Sequence, residues 1–326
     1  MILAGDIGGT KTVLALYEEQ AGSLKPVQEE VFSSKSAPTF EELALRFLAS
    51  SGRPSLRAAC FGVAGAVVDG HSKTTNLPWE LDEAGLVAAL GAPRVRLLND
   101  LEAAAYGVLV LGPESFDTLQ ASGHRTKPAT KALIAAGTGL GEAIIVWDGA
   151  RYDVLPSEGG HADFAPRTPL ESALWEFLRL EFGHVSYERV LSGPGFYNVY
   201  RFLRQHRRAP EPAWLSERIA AGDPSAAVAE AGLAGRDPVC AETLTLFAAI
   251  YGAEAGNLAL KAMAVGGVFV GGGIAPKHRA KLRDGAFIEA FADKGRMAPL
   301  MRTIPVHVVL DPRAPLLGAA DRARAL

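Results

Sequence analysis

Cysteine is scarce: the chain has two in 326 residues, Cys60 and Cys240. Neither has metal-ligand spacing, so both read as free core thiols in a reducing compartment. Charge of one sign is lacking too. The net charge is −3 with both signs interspersed, which leaves no electrostatic footprint for nucleic acid or an acidic membrane surface. The longest apolar run, AMAVGGVFVGGGIA at 262–275, is too short and too glycine-rich to cross a bilayer. No basic segment leads the N-terminus, so a signal peptide is not expected. These absences point to a soluble cytoplasmic protein without nucleic-acid or membrane partners.

What is present suits an enzyme. Hydrophobic residues make up 48% and charged residues 21%, ordinary for a globular chain, and the length suits one large domain or, the favoured reading, two with separate cores. The chain opens LAGDIGGTKTVLALYE. This reads as strand, sharp turn, strand. A Rossmann or P-loop reading needs a helix directly after the glycine turn. Here β-prone residues follow instead, and the Walker spacing is missing.

Further along, 28–32 reads as a strand and 40–50 as a helix capped by Thr39. A buried strand is expected at 58–63, a helix at 81–90, a strand at 95–98 and a helix at 101–111. The polar stretch 112–131 reads as a connection. Then LIAAGTGLGEAIIVWD, 133–148, repeats the layout of the opening hairpin, a weak internal duplication. Two such halves facing each other would form a cleft, each directing a Gly/Thr turn into it. The region 169–300 reads as mainly helical, broken by a strand at 268–270 and a glycine turn, and 315–326 as a final helix.

Three constellations carry chemistry. Glycine-rich turns let backbone N–H groups converge on phosphate; such turns occur at Gly8-Gly9-Thr10, Gly137-Thr138-Gly139 and Gly271-Gly272-Gly273. Thr10 and Thr138 add hydroxyl donors, and Asp6 could hold Mg²⁺ through water. Each turn alone could equally be an ordinary hairpin turn. Asn99-Asp100 ends a strand and precedes a helix, where a carboxylate can serve as base in phosphoryl transfer or merely cap the helix. Glu158, His161 and Glu188 offer acceptors and a donor for a small polyol, but singly each could be structural or solvated.

Taken together, GDIGGTKT, LLNDLEAAAYG, AAGTGLGEA, SEGGHADFAP, YERVLSGPG and VFVGGGIAP span essentially the whole chain. In this order they resemble the bacterial hexokinase-like glucokinases of the actin-like ATPase superfamily. The resemblance implies a two-domain ribonuclease H-like α/β fold with an interdomain active-site cleft. The small domain would be 1–111 plus 311–326, and the large domain 112–310. It implies Asp100 as the base for the 6-hydroxyl of D-glucose, and Asn99, Asp100, Glu158, His161 and Glu188 as sugar ligands, with Asn76 nearby. ATP would be held by Asp6, Gly8, Gly9, Thr10, Thr138, Gly139, Gly271, Gly272, Gly273 and Ile274, with Asp6 ordering the Mg²⁺ shell. A homodimer is also implied.

One departure separates the chain from the related ROK group, whose members often carry a cysteine-rich zinc loop after Glu-x-Gly-His. Here ADFAPR follows His161, so a structural zinc is not expected. Nor is the DNA-binding domain that precedes the first turn in ROK repressors. A kinase of other hexoses, a non-catalytic sugar sensor and an actin-like or chaperone-like ATPase remain as alternatives. Retention of Asp6, Asp100 and both phosphate turns argues against the sensor.

Overall fold

The computed structural model describes residues 1–74, 77–121 and 127–326. Fourteen strands occur among them: β1 (Ile2–Ile7), β2 (Lys11–Gln20), β3 (Ser23–Ser33), β4 (Ala58–Val63), β5 (Val67–Val68), β6 (His71–Lys73), β7 (Glu80–Asp82), β8 (Val95–Asn99), β9 (Phe116–Gln120), β10 (Lys131–Ala136), β11 (Leu140–Trp147), β12 (Tyr152–Ser157), β13 (Val268–Gly271) and β14 (Val306–Val309). The chain divides into two compact units. The first comprises Met1–Ser115, Tyr152–Pro156 and Asp311–Leu326; the second comprises Phe116–Arg151 and Ser157–Leu310.

In the first unit the sheet runs β3-β2-β1-β4-β8, and β5-β6-β7 form a small separate sheet. β1 pairs antiparallel with β2 and parallel with β4, and β4 is parallel to β8. All six residues of β4 are buried, as expected of a central parallel strand covered on both faces. One face of the sheet packs on helix Phe40–Ser50, where Thr39 Oγ1 accepts from the Glu42 N–H. Phe40, Phe47, Phe61 and Trp79 fill that core, with the Phe40 and Phe61 rings edge-to-face at 4.9 Å.

Helix Asp100–Val110 meets the terminal helix Ala314–Ala325 so closely that only glycine fits at the contact. A Cβ on Gly107 would stand 1.9 Å from the Ala314 carbonyl oxygen, and one on Gly318 would stand 1.9 Å from that of Ala103.

In the second unit β11, β10, β13, β14 and β9 lie side by side in that order. β10 is antiparallel to β11 and parallel to β13, and β13 is parallel to β14. The order β11-β10-β13-β14 therefore repeats β2-β1-β4-β8 in both sequence and direction. Around it helix Pro238–Ala262 is buried through most of its 25 residues. Phe247 and Tyr251 from that helix pack against Phe196 and Phe287. Among the described residues no helix is long and apolar enough to cross a membrane.

Two local expectations shift. Leu81 lies in β7 rather than in a helix; the helix is Glu83–Leu90, because the Asp82 carboxylate accepts from the Gly85 N–H and fixes the start there. The polar stretch 112–131 contains β9, which pairs antiparallel with β14. Its partner lies far along the chain, so no local pattern marks it as a strand.

Replacing Gly318 by Ala should force those two helices apart and lower stability by about 1–3 kcal/mol, the usual cost of overpacking. Thermal unfolding checks this, and a midpoint matching wild type would mean that the helices can separate freely.

Candidate active site

In the first unit, register aligns Asp6 of β1 with Gly62 of β4, and Val63 with Asn99 of β8. Three parallel strands thus end at one level, each releasing a small or polar segment: Gly8–Thr10, Ala64-Gly65 and Asn99-Asp100. Ligands of open α/β sheets bind at this edge.

The first turn is closed by the Gly8 N–H donating to the Lys11 carbonyl at 3.0 Å. A neighbouring segment then clamps it. The fully buried Ser34 donates its hydroxyl to the Gly8 carbonyl at 2.7 Å and its N–H to the Thr10 carbonyl at 3.0 Å. Ser34 also bonds Thr12 Oγ1 at 2.9 Å. Burial pushes the Asp6 carboxyl above its ordinary range, with Lys11 partly opposing.

Asn99 caps helix Asp100–Val110. Its Oδ1 accepts from the Leu101 N–H at 2.9 Å, while Nδ2 donates to the Gly65 carbonyl at 3.0 Å. Asp100 Oδ1 accepts from the same N–H at 2.9 Å. The cap fixes both side chains at the sheet edge.

In the second unit the turn Gly137-Thr138-Gly139 closes through the Gly137 N–H donating to the Gly139 carbonyl at 2.8 Å. The next residue, Leu140, donates its N–H to Glu188 Oε2 at 2.9 Å. A Cβ on Gly139 would lie 2.4 Å from that oxygen, so glycine is what lets the carboxylate reach the turn. His161 stands between two acids: Nδ1 is 3.9 Å from Glu188 Oε1, and Nε2 is 3.8 Å from Glu158 Oε2. Both separations exceed a direct hydrogen bond. Glu188, His161, Glu158 and the second turn therefore form one group, polar and open at its outer side, suited to several hydroxyls.

The second turn also opens a cavity of about 990 Å³ in the same unit, lined by Thr138, Gly193, Phe196, Ser225, Gly273 and Ile274 among others. Gly193 N–H donates to the Gly137 carbonyl at 2.8 Å, and Ser225 Oγ donates to the Gly193 carbonyl at 2.6 Å. Ile274 N–H donates to the Ala136 carbonyl at 3.2 Å, tying the third glycine turn to the strand before the second. Helix Gly193–His206, capped by Ser192, begins at this wall, and a helix N-terminus favours anions. His278 stacks on Phe196 at 5.9 Å and 8°. Burial first, then Lys277, holds its imidazole below the ordinary range.

Asp6, Gly8, Gly9, Thr10, Asn99 and Asp100 thus sit in the first unit. Thr138, Gly139, Glu158, His161, Glu188, Gly271, Gly272, Gly273 and Ile274 sit in the second. Asn76 lies outside the described residues. Sequence reasoning missed Ser34, Phe196, Ser225 and His278. Ser192-Gly193-Pro194, a cap followed by proline in the first turn, is the one local signal that marked a helix start beside the cavity.

Glycine turns at matched strand ends of two like-wound sheets, with a carboxylate at a helix start in one unit and an acid–imidazole group in the other, fit a sugar kinase of the actin-like ATPase fold. The family model described as Glucokinase matches residues 3–326. The chain is 43% identical to a glucokinase of Trichormus variabilis over 98% of both chains, and 36% identical to one of Psychromonas ingrahamii over 99% of this chain and 96% of that one. A crystal structure of glucokinase from an Antarctic psychrotroph superposes with a TM-score of 0.88 at 31% identity, covering 100% of this chain and 99% of that one. A ROK-family glucokinase from Streptomyces griseus, in complex with glucose and AMPPNP, shares the fold at a TM-score of 0.64 and 22% identity over 100% and 99% of the two chains. The chain belongs to the glucokinase family.

Replacing Ser34 by Ala removes the buried hydroxyl that bonds the part-buried Gly8 carbonyl and should cost about 0.5–1.5 kcal/mol. Urea unfolding of the variant measures this; an unaltered transition would show that the turn holds without the clamp.

Proposed function

We propose that this protein is an ATP-dependent glucokinase, transferring the γ-phosphoryl group to the 6-hydroxyl of D-glucose to give glucose 6-phosphate and ADP. The observation that carries the assignment is the grouping of Glu158, His161 and Glu188 on the second glycine turn, in a chain of the glucokinase family. An acceptor-rich group of this kind pairs with several sugar hydroxyls at once. A sugar lacking one hydroxyl strands its partner, at a cost of roughly 1–3 kcal/mol.

Asp100 is the proposed base. Its carboxylate is held by the helix start, and it accepts the proton of the 6-hydroxyl as that oxygen attacks the γ-phosphorus. Asn99 orients the sugar from beside it, and Asn76 is assigned to the same sugar region. Gly8, Gly9 and Thr10 with Thr138 and Gly139 direct backbone and hydroxyl donors at the phosphates, supplying the charge neutralisation that phosphoryl transfer needs. The cavity beside Thr138 is large enough for the nucleoside, with Gly271, Gly272, Gly273 and Ile274 on that side. The functional domains are proposed as 1–111 with 311–326 and 112–310.

Mg²⁺ fits this donor set as part of the substrate, Mg·ATP. No group of three or more ligating side chains occurs among the described residues, and Mg²⁺ needs only one or two carboxylates because it keeps water and takes phosphate oxygens. Asp6, whose carboxyl is held above its ordinary range by burial, would face it. The ion supplies charge neutralisation at the phosphates. The family likeness further supports a homodimer working in the cytoplasm, which sedimentation equilibrium of the purified protein addresses.

Asp100→Asn should reduce kcat on the order of 10²–10⁴, the usual contribution of a positioned base, while its circular dichroism stays that of wild type. Full turnover in that variant would remove Asp100 from the chemistry. His161→Ala should raise the KM for glucose about tenfold or more, by stranding its polar partners, and change the KM for ATP little. A change confined to ATP would mean that the sugar group is misassigned. Equal turnover of mannose, fructose and N-acetylglucosamine would favour a broader hexokinase, and glucose binding without turnover a sensor.

A further inference from the structure

Beneath the sugar-directed loop lies a pair of buried carboxyls that the proposed reaction does not use. Glu142 extends from β11, the strand that follows the second glycine turn, and is 2% exposed; Glu254, on helix Pro238–Ala262, is 0% exposed. The two carboxyls lie close enough for the charge of Glu254 to act on Glu142. Two ionised carboxylates are costly in one dry site. Oε1 of each acid is buried without a hydrogen-bond partner.

The surrounding charges decide which acid is ionised. Lys261 Nζ lies 3.6 Å from Glu254 Oε1, and Asn257 Nδ2 donates to Glu254 Oε2 at 2.8 Å. Lys294 donates to Asn257 Oδ1 at 2.6 Å and to the Ala253 carbonyl at 2.9 Å. Glu254 acts electrostatically on Tyr187 and Glu142 on Tyr251, while Arg167 and Asp293 act on Lys294 from beyond. The direct cation and amide partners belong to Glu254, which leaves Glu142 as the acid whose charge burial penalises.

This pair touches both segments that carry the sugar group. A Cβ on Gly159, the residue between Glu158 and the rest of the loop, would stand 2.0 Å from Glu142 Oε2, so the loop backbone rests directly on that carboxyl. On the other side, Asn257 Nδ2 also donates to the hydroxyl of Tyr187, the neighbour of Glu188, at 3.0 Å. Leu140, two residues before Glu142 on β11, donates to Glu188 itself.

We propose that Glu142, buried near Glu254 and directly beneath Gly159, is a positioning residue that holds the Glu158–His161 loop in register with Glu188 for sugar binding. The inference rests on the glucokinase reading and deepens it. Burial, and then the charge of Glu254, pushes Glu142 up to about 8 from its ordinary value of 4.5, with Lys261 opposing. A folded-state value above the ordinary one means that the pair's support is complete below the ordinary value. It is lost as pH rises through the folded value, when a second negative charge opens the contact.

The test is the KM for glucose and for ATP in wild type, Glu142→Gln and Glu142→Ala between about pH 6.5 and 9.5. Wild type should show a glucose KM that rises several-fold above about pH 8, with the ATP KM steady. Glu142→Gln, a neutral donor of the same shape, should keep the neutral-pH glucose KM within about threefold of wild type and lose the alkaline rise. Glu142→Ala should raise the glucose KM about tenfold at neutral pH and leave the ATP KM within about twofold. A glucose KM indifferent to Glu142→Ala, equal rises in both KM values, or an alkaline rise retained in Glu142→Gln would each overturn the proposal. Should the alanine variant fail to fold, the comparison of wild type with Glu142→Gln decides it alone. Wild type without any glucose turnover sinks the functional reading and this inference together; turnover with an indifferent variant sinks the inference only.

Discussion

A single carboxylate resting on a glycine turn organises the second unit. Glu188 Oε2 takes the Leu140 N–H at 2.9 Å, which is possible because residue 139 has no side chain to occupy that space. From this contact the rest follows. The turn proposed for phosphate is fixed to a residue proposed for sugar, and His161 stands between Glu188 and Glu158. On that proposal one backbone hydrogen bond would couple the geometry of donor and acceptor substrates, and positioning of that kind is a large part of what a phosphoryl-transfer enzyme supplies.

The two sheets apply the same architecture to different tasks. β2-β1-β4-β8 and β11-β10-β13-β14 have the same order and directions, and each turns on Gly/Thr at the end of its first parallel strand. The surroundings of those turns differ. The first is clamped by a serine hydroxyl and N–H, so its shape is set from outside. The second is bonded on one side to Glu188 and on the other, through Gly193 and Ser225, to the cavity wall. The same hairpin layout recurs in both units, while the Glu158–His161–Glu188 group and the large cavity belong to the second.

Much of this was legible in the sequence because its signals are local. The strand 58–63, the helix capped by Thr39, both hairpins and the strand at 268–270 follow from residue pattern, caps and turn chemistry. The resemblance carried the family and fold. What escaped depends on partners remote in the chain. β9 needs β14, Gly107 and Gly318 acquire meaning only when the two helices meet, and Ser34 looks like any serine in a polar run until it is found at the Gly8 carbonyl. Phe196, Ser225 and His278 come to one cavity from three separate segments. Glu142 was read merely as part of a strand after a turn; its burial against Glu254 is a property of the packed core.

The central proposal is that Asp100 is the base of the reaction and that Glu158, His161 and Glu188 bind the sugar. The measurement that tests it most directly is a crystal structure of the protein with D-glucose bound. The account predicts the 6-hydroxyl within hydrogen-bonding distance of the Asp100 carboxylate, and other hydroxyls on Glu158, His161 and Glu188. Glucose held away from Asp100, or by side chains outside that group, would contradict it.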